Sequence, residues 1–320
     1  MRETMGAETL TSTGVAGGYR HEVLLYAGEE EFLEATIRFI VGGLAVEEPV
    51  LVAVSARKIA RLRDNLGWDG HWVSFIDMAD LGTNPGRIIS AWRQFVHDHR
   101  DHPHLRGIGE PIWAERRPDE LIECQQHELL LNAAFPPDRP WRLLCPYDTS
   151  VLDPDVILEA ERSHPFVQHG HDHQLSAVYQ GEEARLGDLL QAPLLPAPPG
   201  WRQRSFDEGS RSGVRLLIMD LVPQVTRERA ADLARATDEV VDNSLRHGGG
   251  RGTARVWHDH DAVVCEVHDQ GQIADPLVGR GLPPSTTVDG RGLWLVHELC
   301  DLVQVRSSGA GTVVRMSMRR

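Results

Sequence analysis

Two folds in tandem are predicted for this 320-residue chain: an α/β domain built on a mostly parallel sheet, then an α+β sandwich. Three observations predict this. From His21 to Ser163, apolar runs of strand length alternate with amphipathic runs of helix length, the pattern of a parallel sheet covered on both faces. Next come Pro193, Pro196, Pro198, Pro199 and Gly200, a density that breaks both helix and strand. Beyond them the order becomes helix, helix, strand, strand, loop, helix, strand, strand, which suits helices on one face of an antiparallel or mixed sheet. The expected limits are a disordered lead-in at 1–20, a first domain at 21–180, a linker at 181–205 and a second domain at 206–320.

Residues 1–20 are rich in Gly, Thr, Ser and Glu and lack periodicity. Glu22–Tyr26 reads as a buried strand. In the helix expected at Glu29–Leu44, the residues Phe32, Leu33, Thr36, Ile37, Ile40, Val41 and Leu44 share a face. Pro49–Val54 is a second strand, and Ser55 caps a helix reaching about Asn65. Trp72–Ile76 is a third strand. Asn84-Pro85 supplies a cap and an N1 proline for a helix running toward Asp101. Leu105–Trp113, Pro118–Phe135, Trp141–Pro146 and Pro154–Ser163 continue as strand, helix, strand, helix. His164, His169, His171 and His173 lie in a stretch broken by Pro165 and Gly170, which reads as a solvated connector rather than a metal site.

In the second domain a helix from about Ser210 ends near Pro223. The next, Arg227–His247, is stopped by Gly248-Gly249-Gly250, since glycine takes the left-handed cap conformation. Thr253–His258 and Ala262–Asp269 are strands, Leu293 to about Cys300 a helix, and Val303–Ser307 with Thr312–Ser317 a closing strand pair.

The net charge of −14 argues against nucleic acid as a direct partner. It is unevenly placed: residues 1–206 hold 31 acidic and 19 basic side chains, residues 207–320 hold 16 and 14. The four cysteines show no metal-ligand spacing and read as reduced, buried thiols. The N-terminus lacks a signal pattern, and Glu47-Glu48-Pro49 interrupts the longest apolar stretch, so a cytoplasmic protein without a membrane span is expected. Lys58 is the only lysine, and the first strand leads into Ala27-Gly28-Glu29-Glu30-Glu31, whose carboxylates would repel phosphate; no phosphate loop is expected there. Glu110 and Tyr147-Asp148 fall at strand C-terminal ends, where open α/β sheets bind ligands, and are pocket candidates.

Chemistry gathers in the second domain. Glu239, Asn243 and His247 repeat at i, i+4 and i+8 and form one polar stripe beside the apolar face. Asp269 ends a strand, where its carboxylate can accept from an amine, and Gly271 lets a flat ring approach the backbone. Gly290, Arg291 and Gly292 open a helix, a place suited to phosphate. Asn243 offers a neutral oxygen to magnesium, and Glu239 one turn earlier is placed to take a proton from an attacking hydroxyl.

This set resembles the GHKL ATPase superfamily, a Bergerat-type sandwich. The stripe Glu239, Asn243, His247 is similar to its N box, and Asp269-Gln270-Gly271, Gly290-Arg291-Gly292-Leu293 and Gly309-Ala310-Gly311-Thr312 to its three glycine boxes. The short lid resembles the anti-sigma-factor serine kinases. The resemblance implies ATP and magnesium, with Asn243 on the metal, Asp269 on the adenine amine, Glu239 as general base, and His247, Gly271, Gly290, Arg291, Gly292, Gly309, Gly311 and Thr312 around the nucleotide. It also implies a sigma factor and an antagonist protein as partners, with homodimerisation open. Without competence of Glu239 the same domain would be an ATP-dependent interaction module. In the first domain, His21–Tyr26, Glu48–Val52, Gly109–Trp113 and Leu144–Asp148 resemble the MEDS sensory domain, which implies a RecA/KaiC-like fold without a working P-loop and a small organic ligand.

Overall fold

A computed structural model describes residues 18–181, 185, 190–221, 226–259, 261–281 and 291–320. In the first half, strands β1 (Arg20–Tyr26), β2 (Val50–Val54), β3 (Val73–Asp77), β4 (Leu105–Gly109), β5 (Trp141–Asp148) and β6 (Phe166–His169) pair in parallel in the order β3-β2-β4-β5-β1-β6. Helices α1 (Gly28–Leu44) and α2 (Ala56–Leu66) bury one sheet face, where Leu24, Tyr26, Val52 and Leu144 point. After α3 (Met78–Leu81), helices α4 (Ile88–Asp98), α5 (Pro118–Ala134) and α6 (Pro154–Ser163) cover the other, where Val23, Leu25, Leu143, Cys145 and Tyr147 point. Burial on both faces explains why these strands read as continuous apolar runs.

The local signals act where the sequence puts them, with some corrections. Ser55 accepts from the Lys58 backbone N–H at the start of α2 (3.5 Å), and Asn84 accepts from that of Gly86 (3.0 Å) to open a 3-10 turn that runs into α4. The buried face of α1 is Phe32, Ala35, Thr36, Phe39, Ile40 and Gly43; Val41, expected inside, is exposed, so the face is rotated by about one residue. The histidine stretch expected as a connector is a hairpin: Gly170, at φ 54°, turns β6 into antiparallel β7 (Asp172–Leu175). His173 Nδ1 donates to Glu22 Oε2 at 3.0 Å, whereas His164 is fully buried away from the hairpin.

The second half is an antiparallel sheet, β11-β12-β10-β9-β8, formed by β8 (Arg202–Asp207), β9 (Arg251–Asp259), β10 (Ala262–Asp269), β11 (Leu302–Ser308) and β12 (Gly311–Arg319). Helices α7 (Ser212–Leu221), α8 (Arg227–His247) and α9 (Gly292–Leu299) share an apolar core with its inner face. Strand β8 begins inside the stretch expected as linker, because proline density ends at Pro199 and Arg202 onward can pair with β9. The proline-rich residues run over the outer sheet face: Ser307 N–H donates to Leu190 O (2.7 Å), Arg306 Nε to Ala192 O (2.7 Å) and Arg315 Nη1 to Leu195 O (2.8 Å).

Helix α5 joins the halves. Arg306 Nη2 donates to Glu123 Oε1 at 2.6 Å, Gln304 Nε2 to the same oxygen at 3.3 Å, and Arg319 pairs with Glu120. Asn84 reaches the far end of α9, donating to His297 O (2.9 Å) and Cys300 O (3.2 Å), so a residue of the first half caps a helix of the second. All four cysteines are free and buried. No helix among the described residues is long and apolar enough to cross a membrane.

Candidate functional site

Helix α8 is capped by Thr226, which accepts from the Arg229 N–H at 3.3 Å, and buries Ala230, Leu233, Ala234, Thr237, Val240, Val241 and Ser244. That spacing turns Glu239 and Asn243 to the edge of the core, where both are half-buried. The N-terminus of α9 comes to the same edge. A Cβ on Gly292 would stand 3.1 Å from Asn243 Nδ2 and 3.2 Å from Glu239 Oε2, so glycine gives this approach its room. Arg291 occupies the N-cap position, exposed and without a side-chain cap bond. Gly290 lies outside the described residues.

The other end of the site is knotted around Asp269. Its Oδ2 accepts from Ser244 Oγ (2.6 Å) and its Oδ1 from the Gly271 N–H (2.7 Å). An ionised carboxylate has lone pairs beyond these two, so an amine can still be accepted. A Cβ on Gly248 would fall 2.4 Å from Asp269 Cγ, and one on Gly311 (φ 119°) would fall 2.1 Å from Asp269 O. Gly248 is therefore needed for close approach, not for a left-handed cap: its φ is −100°, and Gly249 and Gly250 take the positive angles, 88° and 75°. Thr312 Oγ1 donates to Gly271 O (2.9 Å) and meets Ser307 Oγ at 3.0 Å, which ties the third glycine segment to the first. Gly309 is exposed. His247 is exposed, and its backbone oxygen, not its ring, faces Gly271.

From Glu239 to Ser244 is five helical residues, roughly 7 Å of rise. The Asp269 knot and the Glu239/Asn243 edge are thus two ends of one wall, and Gly292 faces its second end. A cleft of about 480 Å³ opens beside Asp269 and Gln270, between Asp207, Arg251 and Thr253; Glu239 and Asn243 lie outside it. The glycine cradles and the braced carboxylate fit an adenine nucleotide.

Two contributors had no sequence signal of their own. Ser244 sits on the buried face of α8, where a serine reads as a helix filler, and its role appears only when β10 brings Asp269 to it. Asn84 reads as a local cap and also serves a helix more than two hundred residues away.

In the first half the three pocket candidates separate. Glu110 is buried at the end of β4, accepting from Tyr26 Oη (2.8 Å) and Lys58 Nζ (2.5 Å), with Asp148 on the same side of the sheet. Burial pushes the Glu110 carboxyl up, against the pull of Lys58. Tyr147 points to the opposite face, since neighbours on a strand alternate, and its ring meets that of His164 edge-on at 5.9 Å.

Residues 20–165 match the family model described as MEDS, the methanogen/methylotroph, DcmR sensory domain. Residues 209–318 match that of the histidine kinase-like ATPase domain, which implies ATP binding. No curated protein matches the chain. Among solved structures, the RsbU and RsbW domains of Rv1364c from Mycobacterium tuberculosis share 18% identity over 38% of this chain and 33% of that one, with a TM-score of 0.29. The Acinetobacter baumannii histidine kinase AdeS shares 14% identity over 62% of this chain and 94% of that one, with a TM-score of 0.23. This chain thus spans about a third of the length of the first of these structures. The family matches carry the assignment: the chain joins a MEDS sensory domain at its N-terminus to a histidine kinase-like ATPase domain at its C-terminus.

Proposed function

We propose that the chain is a signal-transduction regulator whose ATP-binding half is gated by its sensory half, and that its output is that of an anti-sigma-factor serine kinase. One observation carries the gating: α9 has its first residue, Gly292, against Glu239 and Asn243, and its last carbonyls held by Asn84 of the sensory half. A shift of the Asn84 segment therefore moves the wall of the nucleotide site.

In this reading Asp269 accepts the adenine amine, kept in place by Ser244 and the Gly271 N–H. Gly271, Gly309, Gly311 and Thr312 line the base and sugar side, with His247 at the helix end. The N-terminus of α9, with Gly290, Arg291 and Gly292, faces the phosphates. Asn243 holds magnesium, which when bound neutralises phosphate charge. Glu239 takes the proton from a serine hydroxyl of an antagonist protein. A sigma factor is the second protein partner, and a homodimer and a cytoplasmic setting belong to the same reading. The limits 21–180 for the first half and 202–320 for the second, which then includes β8, and the RecA/KaiC-like fold of the first, are parts of it. Its parallel sheet supports that fold and its glutamate-rich first loop the lack of a working P-loop, and the Glu110–Lys58–Asp148 end of that sheet is the place for a small organic ligand.

Calorimetry of ATP binding tests the site. Asn243→Ala and Asp269→Asn are each expected to weaken binding at least tenfold, and unchanged affinity in both ends the assignment. Glu239→Ala is expected to bind ATP as before and to transfer no phosphate to antagonist proteins. If the unmodified chain also transfers none across a panel of such proteins, the ATP-dependent interaction module replaces the kinase.

A further inference from the structure

Four side chains turn nitrogen, oxygen and sulfur atoms toward one another inside the sensory half. His21 on β1, Glu128 on α5, Cys145 on β5 and His164 at the end of α6 are all buried, none more than 2% exposed. One nitrogen, oxygen or sulfur atom from each lies within 4.8 Å of all the others. His21 Nε2 stands 3.2 Å from Glu128 Oε2 and 3.3 Å from Cys145 Sγ, and His164 Nε2 stands 3.2 Å from the same Glu128 oxygen.

The remaining ring nitrogens decide where the protons are. His164 Nδ1 is 2.8 Å from Ala160 O, and a carbonyl only accepts, so Nδ1 holds that ring's proton. His21 Nδ1 is 2.9 Å from Asn132 Oδ1. The amide of Asn132 is oriented by its Nδ2 donating to Ser163 O at 2.7 Å, so its oxygen faces His21, and that ring too is protonated at Nδ1. A ring whose one proton sits on Nδ1 presents Nε2 as a lone pair. Two lone pairs, a carboxylate and a sulfur converge, and the thiol proton of Cys145 is the one proton among them. Glu128 Oε1 and His164 Nε2 make no hydrogen bond although both atoms are sealed from solvent. Such groups are costly to leave unsatisfied. Filling the gap with protons meets resistance: the ring centroids are 4.0 Å apart in a sealed space, so two protonated imidazoles would repel each other.

A cation answers all four acceptors at once. Zinc-class bonds of about 2.0–2.3 Å in a tetrahedron put the donors roughly 3.3–3.8 Å apart, close to the three separations here. Two imidazoles and a thiolate are borderline and soft donors, and although the carboxylate is hard, a set with only one oxygen suits such an ion better than magnesium or calcium. The Nδ1 bonds to Asn132 and Ala160 are the outer contacts that orient metal-bound histidines. We propose that His21, Glu128, Cys145 and His164 bind one zinc-class divalent cation. Binding makes four metal–donor bonds, converts Cys145 to its thiolate and releases that proton to solvent. The site spans β1, β5 and α6 and includes α5, the helix whose Glu123 holds the ATPase sheet. It is independent of the nucleotide site and of the kinase reading.

Cobalt titration of the full chain, stripped with a chelator and dialysed, tests this. One equivalent should give intense visible bands of tetrahedral cobalt and a near-ultraviolet thiolate-to-cobalt band, and one zinc per chain should displace it with release of no further proton. Cys145→Ser should lose the thiolate band, and Asn132→Ala should weaken binding roughly 10–100-fold. His171→Ala, on the exposed hairpin, should change nothing. The proposal is overturned if the folded wild-type chain, checked by circular dichroism, takes up no cobalt, binds it without a thiolate band, or loses it in His171→Ala. If Cys145→Ser does not fold, the wild-type spectrum and the Asn132→Ala titration decide.

Discussion

Glu123 and Glu128 lie five residues apart on α5, each 1% exposed, and the two flanks of the helix treat them differently. Toward the ATPase sheet, Glu123 faces the guanidinium groups of Arg306 at 2.6 Å and Arg280 at 3.7 Å. Toward the sensory core, Glu128 faces two histidines and a thiol, whose charge depends on protons or a metal. One flank is a fixed clamp. The other, by the proposed metal site, changes state with what it binds. A single helix therefore has ion pairs to the ATPase sheet on one flank and, in the proposed metal reading, a conditional grip on the sensory core on the other.

The sharpest way to break this contrast is Glu123→Ala. It leaves Arg280 and Arg306 buried without their shared carboxylate and is expected to cost about 3–5 kcal/mol in urea unfolding. Glu123→Leu combined with Arg306→Leu should recover part of that; no recovery would mean that the clamp is not an ion pair in its effect. Gly86→Ala tests the second link. Its Cβ would sit 2.0 Å from His297 Nδ1, and the clash should cost about 1–3 kcal/mol and loosen α9 from Asn84, read as faster proteolysis between the halves. A variant with wild-type protection would place no weight on that contact. The smallest effect belongs to Glu266, which has both kinds of partner, Arg315 and His268. Burial pushes its carboxyl up, but His268 and Arg315 overcome this and hold it below its ordinary value of 4.5. A depressed carboxyl contributes stability above the unfolded value and loses it as pH falls through the folded one. The stability gap between wild type and Glu266→Gln should therefore narrow as the pH drops below about 4.5; a gap independent of pH would contradict the pairing.

What the sequence made legible was mostly periodic or local. The strands of the first sheet read as apolar runs because both faces are covered, and α8 read as a helix with a polar stripe because its burial repeats at helical spacing. Strand β8 escaped because its side chains are exposed apart from Phe206, so it has no apolar alternation beside a proline cluster. The clamp escaped for another reason. Glu120, Glu123 and Gln126 look like a solvated face of α5, and only the approach of β11 and β12 buries them. His164 was read with its neighbours in sequence, His169, His171 and His173, whereas the fold places it with His21, Glu128 and Cys145. Partners distant along the chain have no periodicity to announce them.

Lys58, paired with Glu110 and lying 4.4 Å over the ring of Phe32, is the chain's only lysine. The protein thus has one side-chain amine, and it stands beside Glu110 and Tyr26 at the C-terminal ends of β4 and β1. An acylating reagent has a single lysine address, and a lysine-specific protease a single cleavage point on α2. The rate at which either reacts is a direct reading of how firmly Glu110 holds that ammonium. A ligand that enters beside it would be visible as protection at one residue, without any label being introduced.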